Sequence, residues 1–219
     1  MTTIDTHPDS AAAGSAAPAG GQALSAAAAW VTTADHKRIG RLFIGLSLAW
    51  LIGAVGLGAV LGFDRIQADD SDTLLSLNSV TQLFSLWRIG LLFMAIIPVA
   101  LGVAIAVVPL QLGSRALAFP RLAALGLWTW LTGSGIVLVS YLQNGGPQGG
   151  KSSAVDLFLA GLGLAIIGLL CAAASLATTV LTSRAPGMTL DRVPAFAWSA
   201  LVTAVALLIT LPVLLASLI

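Results

Sequence analysis

The 219-residue chain is 58% hydrophobic and 9% charged, with a formal net charge of +1 and a single cysteine. A soluble domain carries about 25% charged residues, so most of this surface faces a medium other than water. A charge this close to neutral excludes the basic field that nucleic acid requires, and the lone Cys171 excludes a disulfide within the chain.

Residues 1–29 are rich in Ala, Gly, Ser and Pro with scattered charges. Such a composition cannot bury a core and reads as a disordered tail. It lacks the basic and apolar regions of a signal peptide. Residues 30–219 read as a single membrane domain with five apolar runs: Leu42–Phe63, Leu86–Leu112, Leu122–Leu142, Leu157–Leu181 and Ala195–Ile219. About 20 helical residues cross the hydrocarbon layer. Backbone groups in lipid pair within their own segment unless a closed barrel forms, and the alternation of barrel strands is missing. The expected fold is therefore all-α, a polytopic bundle of five transmembrane helices.

Lys37, Arg38 and Arg41 precede the first run, Arg115 and Arg121 follow the second, and Arg184 and Arg192 follow the fourth. These seven of the ten basic residues share one side, which the positive-inside rule assigns to the cytoplasm. The N-terminus is then expected inside and the C-terminus outside. Pro98, Pro109 and Pro212 each remove a backbone donor and are expected to kink their helices. The Gly- and Ala-rich fourth run (Gly161, Gly163, Gly168, Ala172) is expected to pack inside the bundle, because small residues let backbones approach closely. Trp30, Trp128, Trp130, Tyr141 and Trp198 read as interfacial anchors.

Three blocks carry more specific information: TTADHKRIG (Thr32–Gly40), PLQLGSRALAFPRL (Pro109–Leu122) and RAPGMTLDRVPAFAW (Arg184–Trp198). The first resembles the start of haem–copper oxidase subunit I, the second its loop between helices two and three, and the third its loop between helices four and five. They occur in family order at near-family spacing, and the resemblance covers residues 30–219. It implies that the copper-binding histidines, the cross-linked tyrosine and the high-spin haem ligand belong to seven later helices outside these 219 residues. A chain so truncated is expected not to form an oxygen-reducing centre alone. Pro109, Gly113, Pro120, Pro186, Gly187 and Pro194 keep the turn and helix-start chemistry of the family's loops.

The resemblance also locates what has changed. Where the family reads approximately QLFTMHGTIM, this chain reads QLFSLWRIGL, which puts Trp87 at the low-spin haem-ligand position and Arg88 at the following glycine. An indole offers an N–H donor and no free lone pair, so Trp87 cannot replace imidazole at iron. The family's proton-uptake aspartate corresponds to Ala116, and its asparagines correspond to Ile105 and Ala123. Its paired serines correspond to Gly168 and Leu169, and a further asparagine to Ser175. Apolar residues at these steps break a chain of hydrogen-bonding groups. The loop Asn144–Ser153 is shorter than the family's and lacks its GWxxYPPLS segment.

The remaining polar residues carry little chemistry. His36 reads as a polar interfacial residue and His7 as part of the tail. Met94, Met188, Cys171 and Tyr141 are chemically able to ligate iron, but no pair lies at an evident facing position. Arg88 is placed about two turns from the outer end of its helix, where it either snorkels, pairs with a loop aspartate or faces a partner. The run Asp69–Asp72 reads as a solvated loop rather than a dock for a basic partner.

The expected function is therefore a catalytically silent accessory or structural subunit of a respiratory oxidase complex in the bacterial plasma membrane. No catalytic, cofactor-binding or metal-binding residue is expected, with Trp87 and Arg88 as partner contacts. Haem is expected only if a partner chain or an unrecognised ligand coordinates it. The alternative is the N-terminal half of a split oxidase completed by another chain. A third reading is a lipid or quinone binder in the cleft that haem leaves.

Overall fold

The computed structural model describes residues 33, 35–66 and 75–218. The tail 1–29, His7, Trp30 and the run Asp69–Asp72 lie outside these residues. Five long helices account for nearly everything described: α1 (His36–Ile66), α2 (Leu77–Gln111), α3 (Pro120–Leu142), α4 (Ser152–Thr182) and α5 (Ala195–Ala216). Each is long and apolar enough to cross a bilayer, and no strand occurs among the described residues.

The helix starts follow local chemistry. The carboxylate of Asp35 accepts the Lys37 N–H at 3.0 Å, and the Asp35 carbonyl accepts those of Arg38 and Ile39. The Ser76 hydroxyl accepts the Ser79 N–H at 3.3 Å and caps α2. Pro120 opens α3, where its missing N–H costs nothing because the first helical N–H groups have no intrahelical partner. Pro194 is instead the N-cap residue of α5, and its carbonyl accepts the Trp198 N–H at 3.0 Å. Gly113 (φ 66°) and Gly187 (φ 84°) supply the left-handed turns in the α2–α3 and α4–α5 connections.

Two expectations need correction here. Helix α2 begins at Leu77, well before Leu86, because the polar stretch Leu77–Gln82 is helical once Ser76 caps it. Arg88 consequently lies eleven residues into the helix, about three turns rather than two. Pro109 lies inside the last turn of α2, within the helix as expected.

Helix α2 has three parts: an α-helical start (Leu77–Ile89), a π-helical turn (Gly90–Ile96) and an α-helical end (Ile97–Gln111). The Ile97 N–H reaches back to the Leu92 carbonyl, five residues away, and Pro98 follows with no N–H to offer. The widened turn thus sits where proline interrupts the α-helical ladder.

Helix α3 packs along α4 in the most extensive pairing of the bundle, and α1 packs along the second half of α2. Glycine explains both. A Cβ on Gly168 of α4 would lie 2.6 Å from the Gly126 carbonyl oxygen of α3, and one on Gly133 would lie 2.6 Å from the Gly161 carbonyl oxygen. The two glycines of each helix are seven residues apart, so they recur on one face and the backbones touch. Gly40 and Gly102 make a similar approach between α1 and α2. Helix α4 is the most buried element, as its small residues imply. Helices α1 and α5 form the exposed apolar flanks, with Ile52, Val55, Ile209 and Val213 uncovered.

Candidate functional site

Trp87 and Arg88 lie one turn of helix before the π-helical segment of α2. The Trp87 indole lies against α1 at Gly58, where a Cβ would sit 2.9 Å from Nε1. Only glycine leaves room for the ring there. Its other neighbour is Phe84, stacked at 5.7 Å between ring centres and inclined by 27°. Arg88 is exposed, and its guanidinium carbon lies 5.9 Å from the centre of the Phe84 ring, within cation–π range. The three side chains therefore form one short stack along α2. A helical side chain leans toward the N-terminus of its helix, which carries the Arg88 head toward the near end of α2. No carboxylate lies within ion-pair distance of Arg88 among the described residues.

Two cavities adjoin this stack, and Trp87 lines both. The first, of about 530 Å³, lies between α1, α2 and α3 and is walled by Trp50, Gly53, Leu57, Leu86, Trp87 and Leu138. Every one of these side chains is apolar apart from the two indole N–H groups. The second, of about 580 Å³, lies toward the ends of α1 and α2 and includes Asp64, Arg65, Leu75, Phe84 and Trp87. Asp64 is buried, and its carboxylate accepts the Leu75 N–H at 3.0 Å, which ties the start of α2 to the end of α1.

Trp130 corrects the interfacial-anchor reading. It is 0% exposed, packs 5.6 Å from the Phe43 ring, and donates from Nε1 to the Phe93 carbonyl at 3.1 Å. Phe93 belongs to the π-helical turn, so a core tryptophan occupies an acceptor that the widened backbone presents. Tyr141 is half-buried, with its hydroxyl 2.9 Å from the Ser85 hydroxyl and its ring edge-on to Phe158. Trp198 is exposed, as an anchor is expected to be.

Five of the six positions compared with a proton path are buried in the packing. Ile105, Ala123 and Leu169 are fully buried, and Gly168 lies in the backbone contact of α3 with α4. Ala116 is exposed in the α2–α3 loop. Ser175 donates to the Phe119 carbonyl at 2.9 Å, while the Thr179 hydroxyl accepts the Ala118 N–H at 3.0 Å and donates to the Ser175 carbonyl. Both hydroxyls pin the α2–α3 loop onto α4.

The other candidates are scattered. Met94 is buried in the π-helical turn, Cys171 sits on α4, Tyr141 ends α3 and Met188 lies in the α4–α5 loop. His36 is only 6% exposed, with Nδ1 3.8 Å from the Asp35 carboxylate and Nε2 unpartnered among the described residues. No group of three His, Cys, Asp or Glu side chains converges among the described residues. Sequence reasoning missed Gly58, Trp50 and the widened turn. Pro98 was the available signal for the turn, while the pairing of Gly58 with Trp87 spans 29 positions and leaves no local trace.

Comparison with known proteins places these features in context. The model of the family described as cytochrome c and quinol oxidase polypeptide I matches residues 38–219. Cytochrome c oxidase subunit 1 of Bacillus subtilis is 32% identical over 196 residues, covering 84% of this chain and 31% of the relative. Quinol oxidase subunit 1 of the same organism is 33% identical, covering 84% of this chain and 30% of the relative. Cytochrome c oxidase subunit 1 of Corynebacterium efficiens is 33% identical, covering 90% and 36%. The chain thus spans about a third of the length of the curated relatives it matches.

Proposed function

The chain belongs to the cytochrome c and quinol oxidase polypeptide I family, and on that premise we propose that it is a catalytically silent membrane subunit of a respiratory oxidase complex. The observation that carries this reading is the Trp87 indole, laid into the space left by Gly58 at the position compared with a haem ligand. An imidazole binds iron through a ring lone pair, and the indole has none to give. The residues around position 87 do not fit a haem iron.

The packing supports the same conclusion for protons. A conducting path needs hydroxyls, carboxylates or ordered water in sequence. Here Gly168 lies in a backbone-to-backbone contact, and the Ser175 and Thr179 hydroxyls hold the α2–α3 loop. What persists is the helix packing and the turns at Gly113 and Gly187, which suits a subunit whose work is assembly or stability. The exposed flanks of α1 and α5 are apolar surfaces available to lipid or to other transmembrane helices. The seven clustered basic residues argue for a cytoplasmic N-terminus, which cysteine-labelling of opposite loops in intact cells tests.

The rival reading is a split oxidase in which a second chain supplies the rest of the family's length. The chain spans about a third of the length of these relatives. Purification from native membranes followed by mass spectrometry of co-purifying chains separates the two. Complete oxidase subunits travelling with this chain support the silent-subunit reading. A single companion carrying only the remaining helices overturns it.

A further inference from the structure

Deepening that reading of the Trp87 region, on which it rests, we propose that the two cavities flanking Trp87 bind one anionic phospholipid. An acyl chain occupies the cavity beside Trp50 and Gly53, and the phosphate sits between Arg65 and Arg88. The apolar cavity, of about 530 Å³, falls within the size range of ligand sites and lies among helices whose surroundings are themselves acyl chains. Its walls offer water almost no hydrogen-bond partners, and apolar cavities of this kind take apolar guests.

Charge defines the head of the ligand. Arg65 lines the second cavity, and the Arg88 guanidinium lies over Phe84, which lines the same cavity. Both arginines are exposed, and neither has a carboxylate within ion-pair distance among the described residues. The neighbouring carboxylate, Asp64, is buried and bonded to the Leu75 amide. Two exposed arginines with no ion-pair partner among the described residues, beside an apolar cavity between membrane-type helices, suit an anionic head on an acyl tail. Trp87 divides the two spaces, so its ring contacts the ligand at the junction of head and tail.

The test uses the full chain, purified and exchanged into phosphatidylcholine vesicles containing a minor fraction of phosphatidylglycerol. Native mass spectrometry on release then reads the lipid that stays bound. One phosphatidylglycerol per chain is expected to survive activation that strips phosphatidylcholine. Arg65→Gln/Arg88→Gln lowers that occupancy about fivefold per arginine removed, and Arg65→Lys/Arg88→Lys restores it. Gly53→Leu points into open space, where a Cβ meets nothing within 4 Å, so it fills the apolar cavity and displaces lipid without loss of helicity. Equal retention of both lipids, an unchanged preference in the double Gln variant, or a prenyl quinone as the retained species overturns the proposal. The visible spectrum of the same sample separates the two ideas. Haem bands overturn the silent-subunit reading, whereas a haem-free sample without bound anionic lipid overturns the lipid site alone.

Discussion

The α3–α4 pair and the Trp87 end of α1 and α2 are built on the same residue, glycine, with opposite results. Between α3 and α4 the glycines Gly126, Gly133, Gly161 and Gly168 let two backbones meet, and no space remains. On α1, Gly58 admits a tryptophan ring from α2, while Gly53 and Gly56 face open space and the cavities persist. In the closed pair each glycine meets facing backbone, as Gly168 meets Gly126 and Trp130 and Gly161 meets Val137. At Gly58 the facing element presents an indole ring instead, and cavities lie on either side of it. Gly168, compared with the proton path, falls in the closed region, and Trp87, compared with the haem ligand, falls beside the cavities.

This contrast can be broken at several points. The largest effect is expected from Gly168→Val, whose branched side chain enters space held by the Trp130 backbone and the Gly126 carbonyl. Such overpacking costs about 3 kcal/mol or more, read as loss of the folded fraction in a detergent unfolding titration. A titration indistinguishable from wild type would show that the helices are not in contact there.

Trp130→Phe keeps an aromatic ring and removes the donor to Phe93, leaving a partly buried carbonyl in the π-helical turn without that partner. A loss of about 1–3 kcal/mol follows, with amide exchange accelerated across Gly90–Ile96 and not across α4. Ser175→Ala releases the Phe119 carbonyl and costs about 1 kcal/mol. Its sharper readout is trypsin cleavage at the exposed Arg115, which accelerates as the loop loosens. The smallest effect belongs to Gly53→Ala. With nothing to strike, it gains helix propensity, changing stability by about 1 kcal/mol or less in the favourable direction.

The five helices were legible because a bilayer requires a length and a polarity that composition displays directly. The burial of α4 was legible for the same reason, since Gly161, Gly168 and Ala172 have no other economical use on a helix facing water or lipid. The start of α2 was not, because Leu77–Gln82 is polar and reads as loop until Ser76 is seen to cap it. Trp130 was misread because a tryptophan serves either at an interface or in a core if its N–H finds an acceptor. That acceptor, the Phe93 carbonyl, arises from a widened turn in another helix. At the candidate site the chemistry of Trp87 was readable from residue type, while its seat on Gly58 and the cavities beside it depend on packing across the bundle.

The most direct test of the account is the haem content of the purified chain, taken from its native membrane and freed of companions. A pyridine haemochrome assay and a reduced-minus-oxidised spectrum read it together. The account predicts no haem bands above background per mole of chain, and none restored by added haem. One haem per chain, with low-spin bands that vanish in Trp87→Ala, would contradict it.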